Sequence, residues 1–156
     1  MPPKLLSREE AVDFLAQETI GHLATFDSTG YPYITPLNYV YHQGKIYFHC
    51  AHKGRKLDNL AANNRVCFEV SRIDRKVFAP LPCKCSTRYT SALVFGTAGI
   101  VADPVRKMEV LNALTETYAE GRPFPPVEAE SASRCTVVEI IIEEIHGKRN
   151  LDRTEI

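Results

Sequence analysis

The stretch GKIYFHCAHKGRKLDNLAA, residues 44–62, joins a predicted strand to a predicted helix through a short connection that contains a glycine. The strand is expected from Lys45 to Cys50. The helix is expected to begin near Arg55 and to end at the asparagine pair Asn63-Asn64. Its apolar stripe has the i, i+3, i+4 spacing of a helix and consists of Leu57, Leu60 and Ala61.

The start of this helix has the features of an anion site. The first turn of a helix has unpaired backbone N–H groups at the positive end of the helix dipole, so it attracts anions. Arg55 and Lys56 add two positive charges there, and Gly54 allows a close approach of the backbone. Cations usually avoid a helix N-terminus, because the helix dipole is already positive there. The alternative is that Arg55 and Lys56 are simply exposed residues of the first turn. We interpret their unusual position as a phosphate site.

Composition indicates one ordinary globular domain. The chain has 156 residues, 44% hydrophobic and 24% charged, with a formal net charge of zero. No broad charged field is available to attract nucleic acid or an anionic membrane, so neither is expected as a partner. With no apolar segment near its start, the chain is expected to be cytoplasmic. We assign residues 1–148 to the domain and 149–156 to a polar tail.

The five cysteines do not form a disulfide or metal framework. Their number is odd and no export signal precedes them, which favours reduced thiols. Cys83 and Cys85 form a C-x-C pair without a second pair to complete a zinc site. His22, His49 and His52 also lack the spacing of metal ligands, so no metal is expected.

The remaining pattern favours a mainly β fold, an antiparallel β-barrel with flanking helices. Most strands are joined by turns too short for the crossover that a parallel sheet needs. Pro36 lies within a strand and indicates an edge, a bulge or a ligand contact. Gly96 and Gly99 suggest bends in another strand, and residues 74–87 read as an irregular loop or flap. About six strands are expected at 21–26, 32–41, 45–50, 65–72, 89–101 and 135–145, and three helices at 8–18, 55–62 and 104–118.

Several short motifs, taken in order, resemble those of the pyridoxamine 5′-phosphate oxidase-like flavoproteins. They are LATFDSTGYPY at 23–33, IYF at 46–48, GRK at 54–56 and NNRV at 63–66. The branch that contains the nitroimidazole-resistance proteins is the most similar. That likeness rests on GYPY at 30–33, PLNYVY at 36–41, YFH at 47–49, GRK at 54–56, YTS at 89–91 and GK at 147–148.

The resemblance implies a split β-barrel and a homodimer with one FMN per subunit near the interface. Arg55 and Lys56 would then hold the FMN phosphate beside Gly54, with His52 as a further candidate. His49 would lie near the flavin and assist proton delivery, which makes it the candidate catalytic residue. The other cofactor-binding residues implied are Thr35, Pro36, Leu37 and Asn38 along the ring, and Tyr89 and Ser91 on a later strand.

The chain also departs from the oxidase itself. Thr35 falls where the oxidase has an arginine, and a threonine donates only one hydrogen bond to a phosphate. Val40 stands where the oxidase has a lysine for the pyridoxal phosphate group, and the substrate-binding C-terminal segment has no counterpart. The expectation is therefore an FMN-binding fold without the vitamin B6 reaction.

Three functions remain open at this point. The first is an FMN-dependent oxidoreductase that reduces a small electron-poor substrate such as a nitroaromatic. The second is a flavin carrier or a haem-binding protein, in which an exposed histidine would be the axial ligand. The third is a purely structural or interaction protein, which the anion site disfavours. The candidate axial ligands are His22, His49 and His146.

Overall fold

The protein was analysed as a computed structural model, which describes residues 3–150. Within that range, eight strands and four α-helices form a mainly β structure. The strands are β1 Lys4–Leu6, β2 Ile20–Phe26, β3 Pro32–Asn38, β4 Val40–His42, β5 Lys45–Cys50, β6 Arg65–Val77, β7 Ser86–Ile100 and β8 Thr136–Arg149. The helices are α1 Arg8–Gln17, α2 Arg55–Ala62, α3 Pro104–Ala119 and α4 Ala129–Ser133, with a 3₁₀ turn at Pro82–Lys84.

The sheet curls until its two ends meet at Tyr39. Its order is β3-β2-β6-β7-β8-β5-β4, every pairing is antiparallel, and β1 pairs with the end of β8. The terminal strands β3 and β4 are separated by Tyr39 alone, so the opposite ends of the sheet are covalent neighbours. The sequence pattern predicted an antiparallel β-barrel with flanking helices, and the family resemblance implied a split barrel; the fold class is confirmed.

Alternating strand residues fill the barrel. Along β6, Val66, Phe68 and Val70 are buried in the core, as the period of two in the sequence predicted. Phe68 packs where β2 has Gly21, since a Cβ there would lie 2.3 Å from the Phe68 ring. A second apolar cluster lies under α3 and includes Tyr47, Val110, Leu114 and Val137.

The distal part of the β6–β7 hairpin extends past the other strands. β2 pairs only with residues 67–69 of β6, whereas β6 pairs with β7 as far as Val77 and Ser86. We call residues 71–89 the arm. Its tip, residues 78–85, contains the 3₁₀ turn and the exposed side chains of Phe78 and Leu81.

Several predicted boundaries were wrong. The strand number is eight instead of about six, because β1 was missed and the predicted strand 32–41 is divided into β3 and β4. The helix α4 was missed because it is only five residues long. Residues 74–87, predicted as an irregular loop or flap, are irregular only from 78 to 85, because residues 74–77 belong to β6 and residues 86–87 belong to β7. β8 continues past Ile145 to Arg149, where it pairs with both β1 and β7. The predicted tail 149–156 lies outside the described residues from 151 onward.

Across residues 3–150, no helix is long and apolar enough to cross a membrane.

Candidate functional site

The start of α2 leaves its first backbone N–H groups without a side-chain cap. Gly54 occupies the cap position with φ +144°, a value that side-chain-bearing residues rarely adopt, so glycine is required there. The Gly54 carbonyl accepts the N–H groups of Leu57 and Asp58 at 2.8 and 3.2 Å. The preceding N–H groups, of Arg55 and Lys56, are the orphan donors of the helix and belong to the two basic residues predicted to bind phosphate.

Arg55 is held in place from two sides. Its guanidinium pairs with the Asp27 carboxylate and lies 4.7 Å above the centre of the Tyr33 ring. Asp27 also accepts hydrogen bonds from Thr29 and from the Tyr31 N–H. The hydrogen bond from the Thr29 hydroxyl, together with that from Arg55, lowers the pKa of Asp27 to about 2. The aspartate therefore stays ionised and fixes the direction of the guanidinium.

Sequence reasoning missed Asp27 and Tyr33 as parts of this site. Asp27 opens the turn DSTG, where aspartate is common because its carboxylate binds nearby N–H groups, and that local role hid the contact with Arg55. Tyr33 appeared only as the last residue of the motif GYPY at 30–33. Asp27 lies in the turn after β2 and Tyr33 lies in β3, so the predicted β2–β3 hairpin was the signal that the two residues are close to each other.

The free edge of β3 presents backbone groups beside this site. The Asp27 N–H donates to the Tyr31 carbonyl, and the Tyr39 N–H donates to the Thr19 carbonyl. The backbone N–H and C=O groups of the odd-numbered residues of β3 therefore point towards β2, and those of the even-numbered residues point away from it. Pro36 therefore turns its nitrogen away from the ladder, as a proline in a strand must. Its place on an edge strand confirms the predicted edge. Leu37 faces the core, whereas the Asn38 N–H and the Pro36 carbonyl point outward from the pair.

Thr35 carries a buried hydroxyl without a partner. Its side chain lies on the same face of β3 as Tyr33, beside the arginine site. Among the residues that the structure describes, Thr35 Oγ1 finds no hydrogen-bond partner. An unpaired buried hydroxyl is unfavourable, and a ligand oxygen or nitrogen at this position would satisfy it.

The two candidate histidines near α2 differ in their contacts. His49 is exposed and lies on the face of β5 that carries Tyr47, the face covered by α3, and not on the interior face. His52 Nε2 lies 2.8 Å from the Ser133 carbonyl and Nδ1 lies 3.0 Å from Thr136 Oγ1. Both nitrogens of His52 are thus engaged in tying the connection before α2 to the start of β8.

Tyr89 and Ser91 are separated from the α2 site within one chain. α2 lies against β7 near Ala98 and Ile100, which is about 23 Å of strand away from Ser91. Ser91 instead lines a cleft of about 430 Å³ on the outer face of the sheet. The other side chains in that cleft include Leu5, Glu69, Leu93, His146 and Lys148.

Two of the three histidines considered as haem ligands, His22 and His146, contact carboxylates. His22 Nδ1 lies 3.0 Å from Glu69, and His146 Nε2 lies 3.2 Å from Glu144. Within residues 3–150, no group of three or more His, Cys, Asp or Glu residues could hold a metal ion.

Comparisons with known proteins identify the fold and the family. A family model described as pyridoxamine 5′-phosphate oxidase matches residues 7–149. No curated protein matches the chain.

Three solved structures illustrate the shared fold. A Bacteroides thetaiotaomicron protein described as a 5-nitroimidazole antibiotic resistance protein is 22% identical, with a TM-score of 0.81 over 96% of this chain and 89% of that one. An FAD and haem binding protein from Mycobacterium smegmatis is 23% identical, with a TM-score of 0.84 over 96% and 74%. An FAD-binding protein from Mesorhizobium loti is 21% identical, with a TM-score of 0.74 over 97% and 100%. At these sequence identities, the likeness to the solved structures shows the fold alone. The family model matches nearly the whole chain, so the chain belongs to the pyridoxamine 5′-phosphate oxidase-like family.

Proposed function

We propose that the protein is an FMN-dependent oxidoreductase that works as a homodimer and reduces a small electron-poor compound of the nitroaromatic class. The observation that carries the proposal is the start of α2. There Gly54, two orphan N–H groups and the fixed Arg55 guanidinium create a site for a phosphate monoester. FMN carries such a phosphate.

The family and its structural neighbours support a flavin. Two of the three structures named above are described as FAD-binding proteins, and one of them also binds haem. We favour FMN because its single phosphate monoester matches the start of α2, where the first two helical residues are both basic. The alternative, a protein that only carries flavin or haem, uses the same fold without turnover.

The residues beside α2 fit a flavin as well as a phosphate. The outward-facing backbone of β3 at Pro36 and Asn38 offers a carbonyl and an N–H to the polar edge of a ring, and the unpaired Thr35 hydroxyl offers one more group. FMN, when bound, supplies the transfer of electrons to the substrate. The chain supplies binding and orientation, and the exposed imidazole of His49 is the proposed group that delivers a proton.

The vitamin B6 reaction does not carry over in this proposal. Thr35 and Val40 replace the arginine and lysine that the oxidase would place there, so β3 and β4 lack two cationic groups, one of which is the lysine for the substrate phosphate.

The first experiment is an absorption spectrum of freshly purified protein and of the Arg55→Ala/Lys56→Ala variant. We expect a flavin band at about 450 nm that the variant loses. A matched control removes two basic residues of the arm, Lys76→Ala/Lys84→Ala, which are exposed and lie at the end of β7 opposite to the one that α2 contacts. This control should keep the band. A colourless protein that also fails to bind added FMN would contradict the proposal, and a haem Soret band would favour the alternative.

A further inference from the structure

Asp27 places a fixed negative charge beside the start of α2. Its side chain is only 8% exposed. Its Oδ1 atom accepts hydrogen bonds from the Thr29 N–H at 2.8 Å, the Thr29 hydroxyl at 2.7 Å and the Tyr31 N–H at 3.0 Å. These three bonds hold the carboxylate in its turn, and its pKa of about 2 keeps it ionised at neutral pH. A phosphate that binds Arg55 therefore meets a charged carboxylate that cannot swing away.

The same carboxylate occupies one side of the Arg55 guanidinium. Arg55 Nη2 donates to Asp27 Oδ2, and the guanidinium lies 4.7 Å above the centre of the Tyr33 ring. A guanidinium has five N–H donors, and the Arg55 side chain is 56% exposed, so the remaining donors are accessible to a ligand. A phosphate can therefore bind Arg55 without displacing Asp27, but it then lies close to the carboxylate.

This arrangement makes the effect of Asp27 depend on the charge of the phosphate. Coulomb repulsion by the carboxylate grows in proportion to the charge of the ligand. The phosphate of FMN is a monoester and carries nearly two negative charges above its second pKa of about 6. The phosphate next to the flavin in FAD is a diester and carries one charge, and riboflavin has no phosphate. Asp27 should therefore weaken the binding of FMN most and that of riboflavin least.

We propose that Asp27 is the specificity-determining residue of the phosphate site, because it limits how strongly α2 prefers a doubly charged monoester to a singly charged diester. Asp27 acts through Arg55, which it positions, and through its own charge. The inference rests on the proposed function and adds to it the rule by which the site distinguishes one flavin from another. Loss of the Asp27 charge should shift the site towards FMN.

The test is a fluorescence titration of the flavin-free, full-length protein with FMN, FAD and riboflavin at a pH of about 8, where the FMN phosphate is ionised. Asp27→Asn removes the charge and keeps an oxygen for the hydrogen bonds of the turn. We expect the Kd of FMN to fall by about 10-fold. The Kd of FAD should fall by about 3-fold, because half the charge has half the interaction energy. The Kd of riboflavin should change by less than about 2-fold.

Two further variants separate the charge of Asp27 from its structural role. Asp27→Ser also removes the charge, and its hydroxyl supports the turn in a different way, so it should change the three Kd values in the same order. Asp58→Asn is the matched control, because Asp58 is exposed in the first turn of the same helix. Solvent screens the charge of Asp58, so this variant should change the Kd of FMN by less than about 2-fold.

A purely structural role of Asp27 would affect all three flavins alike. Equal changes in the Kd of FMN, FAD and riboflavin for both Asp27 variants would overturn the inference. So would a Kd of FMN that stays the same in these variants, or one that Asp58→Asn lowers as much as Asp27→Asn does.

Inorganic phosphate separates this inference from the proposed function. If wild type binds FMN more tightly than riboflavin and Asp27→Asn changes nothing, only the inference about Asp27 fails. If wild type binds no flavin, the proposed function fails, and calorimetry with inorganic phosphate decides the inference. A phosphate Kd about 10-fold lower for Asp27→Asn than for wild type would then support it. An equal Kd, or no phosphate binding by either protein, would overturn it.

Discussion

At the scale of single residues, Arg55 has a carboxylate partner already in place. Asp27 holds the guanidinium over Tyr33, so the arginine is pre-organised but partly neutralised. A phosphate bound at α2 would share Arg55 with Asp27, while Lys56 and the orphan N–H groups would add the remaining attraction. The aspartate thus sets both the geometry and the strength of the candidate site.

The depressed pKa of Asp27 predicts an acid-dependent loss of stability. The value falls from 3.8 to about 2, with the Thr29 hydroxyl as the largest cause. A lowered pKa in the folded state stabilises the protein above the unfolded value, and that contribution is lost as the pH falls towards 2. In urea unfolding, the stability difference between wild type and Asp27→Asn should be largest above pH 4 and shrink towards pH 2. A difference that stays constant down to pH 2 would contradict this assignment.

Thr35→Val should have opposite effects on stability and on flavin binding. Valine keeps the shape of threonine and removes the unpaired buried hydroxyl, so the unfolding free energy of the flavin-free protein should rise by about 1 kcal/mol. If the hydroxyl contacts the flavin, the affinity for FMN should fall by about 5-fold to 10-fold. Urea unfolding and a fluorescence titration measure the two quantities. A lower unfolding free energy of flavin-free Thr35→Val than of the flavin-free wild type would indicate that the hydroxyl has a hydrogen-bond partner.

The sequence revealed only part of this site. Arg55 and Lys56 were predicted because cations at a helix start break a local rule, which requires no knowledge of the tertiary structure. Asp27 is 28 residues from Arg55, and its turn-forming role explains it fully at the local level. His52 was a further candidate for the phosphate, and nothing in the sequence indicated that its two ring nitrogens contact Ser133 and Thr136, more than 80 residues away.

At the scale of elements, one glycine permits the close approach of β7 to β8. A Cβ on Gly96 would lie 2.0 Å from the Ile141 carbonyl oxygen, beside the register shift that bends the β7–β8 pair. The sequence suggested bends at both Gly96 and Gly99. Only Gly96 lies in a crowded position, because at Gly99 a Cβ would meet nothing within 4 Å.

Gly96→Ala should therefore destabilise the protein by about 3 kcal/mol, since the obstructing atom is backbone and cannot rotate away. Gly99→Ala is the matched control and should change the unfolding free energy by less than about 0.5 kcal/mol. Urea unfolding of both variants measures the difference. Equal effects at the two positions would mean that β7 and β8 can move apart at Gly96 without a loss of unfolding free energy.

The arm shows why periodicity failed between residues 74 and 87. A register shift between Ile73 and Arg75 inserts Asp74 as an extra residue, which reverses the alternation that had been clear up to Val70. Pro80 and Pro82 then interrupt the pattern at the tip. Without the partner strand, such a segment cannot be distinguished from a loop.

At the scale of the whole molecule, Tyr39 joins the two ends of the sheet to α1. Its hydroxyl donates to the Leu15 carbonyl at 2.6 Å, and its N–H donates to the Thr19 carbonyl at 2.9 Å. Leu15 lies in the last turn of α1, where carbonyls lack helical partners. A barrel was predictable from short connections and antiparallel strands, but the residue that closes it was not.

Tyr39→Phe should cost about 1–2 kcal/mol of unfolding free energy, because it leaves the buried Leu15 carbonyl without its donor. Tyr31→Phe serves as the control, since Tyr31 is 72% exposed and should lose almost nothing. Thermal and urea unfolding give both values. A Tyr39→Phe protein as stable as the control would show that water replaces the hydroxyl.

The position of β8 has a consequence for how the chain folds as it is synthesised. β8 pairs with β1, β5 and β7, and Lys45 pairs with Ile141 across 96 residues of sequence. The ribosome completes this strand after all the others, so β1 and β5 must wait for a neighbour that is still being made. Contacts so distant in sequence make folding slow and leave strand edges open in the meantime. The barrel is therefore expected to close only after β8 has emerged, and the nascent chain is most prone to aggregate just before that moment.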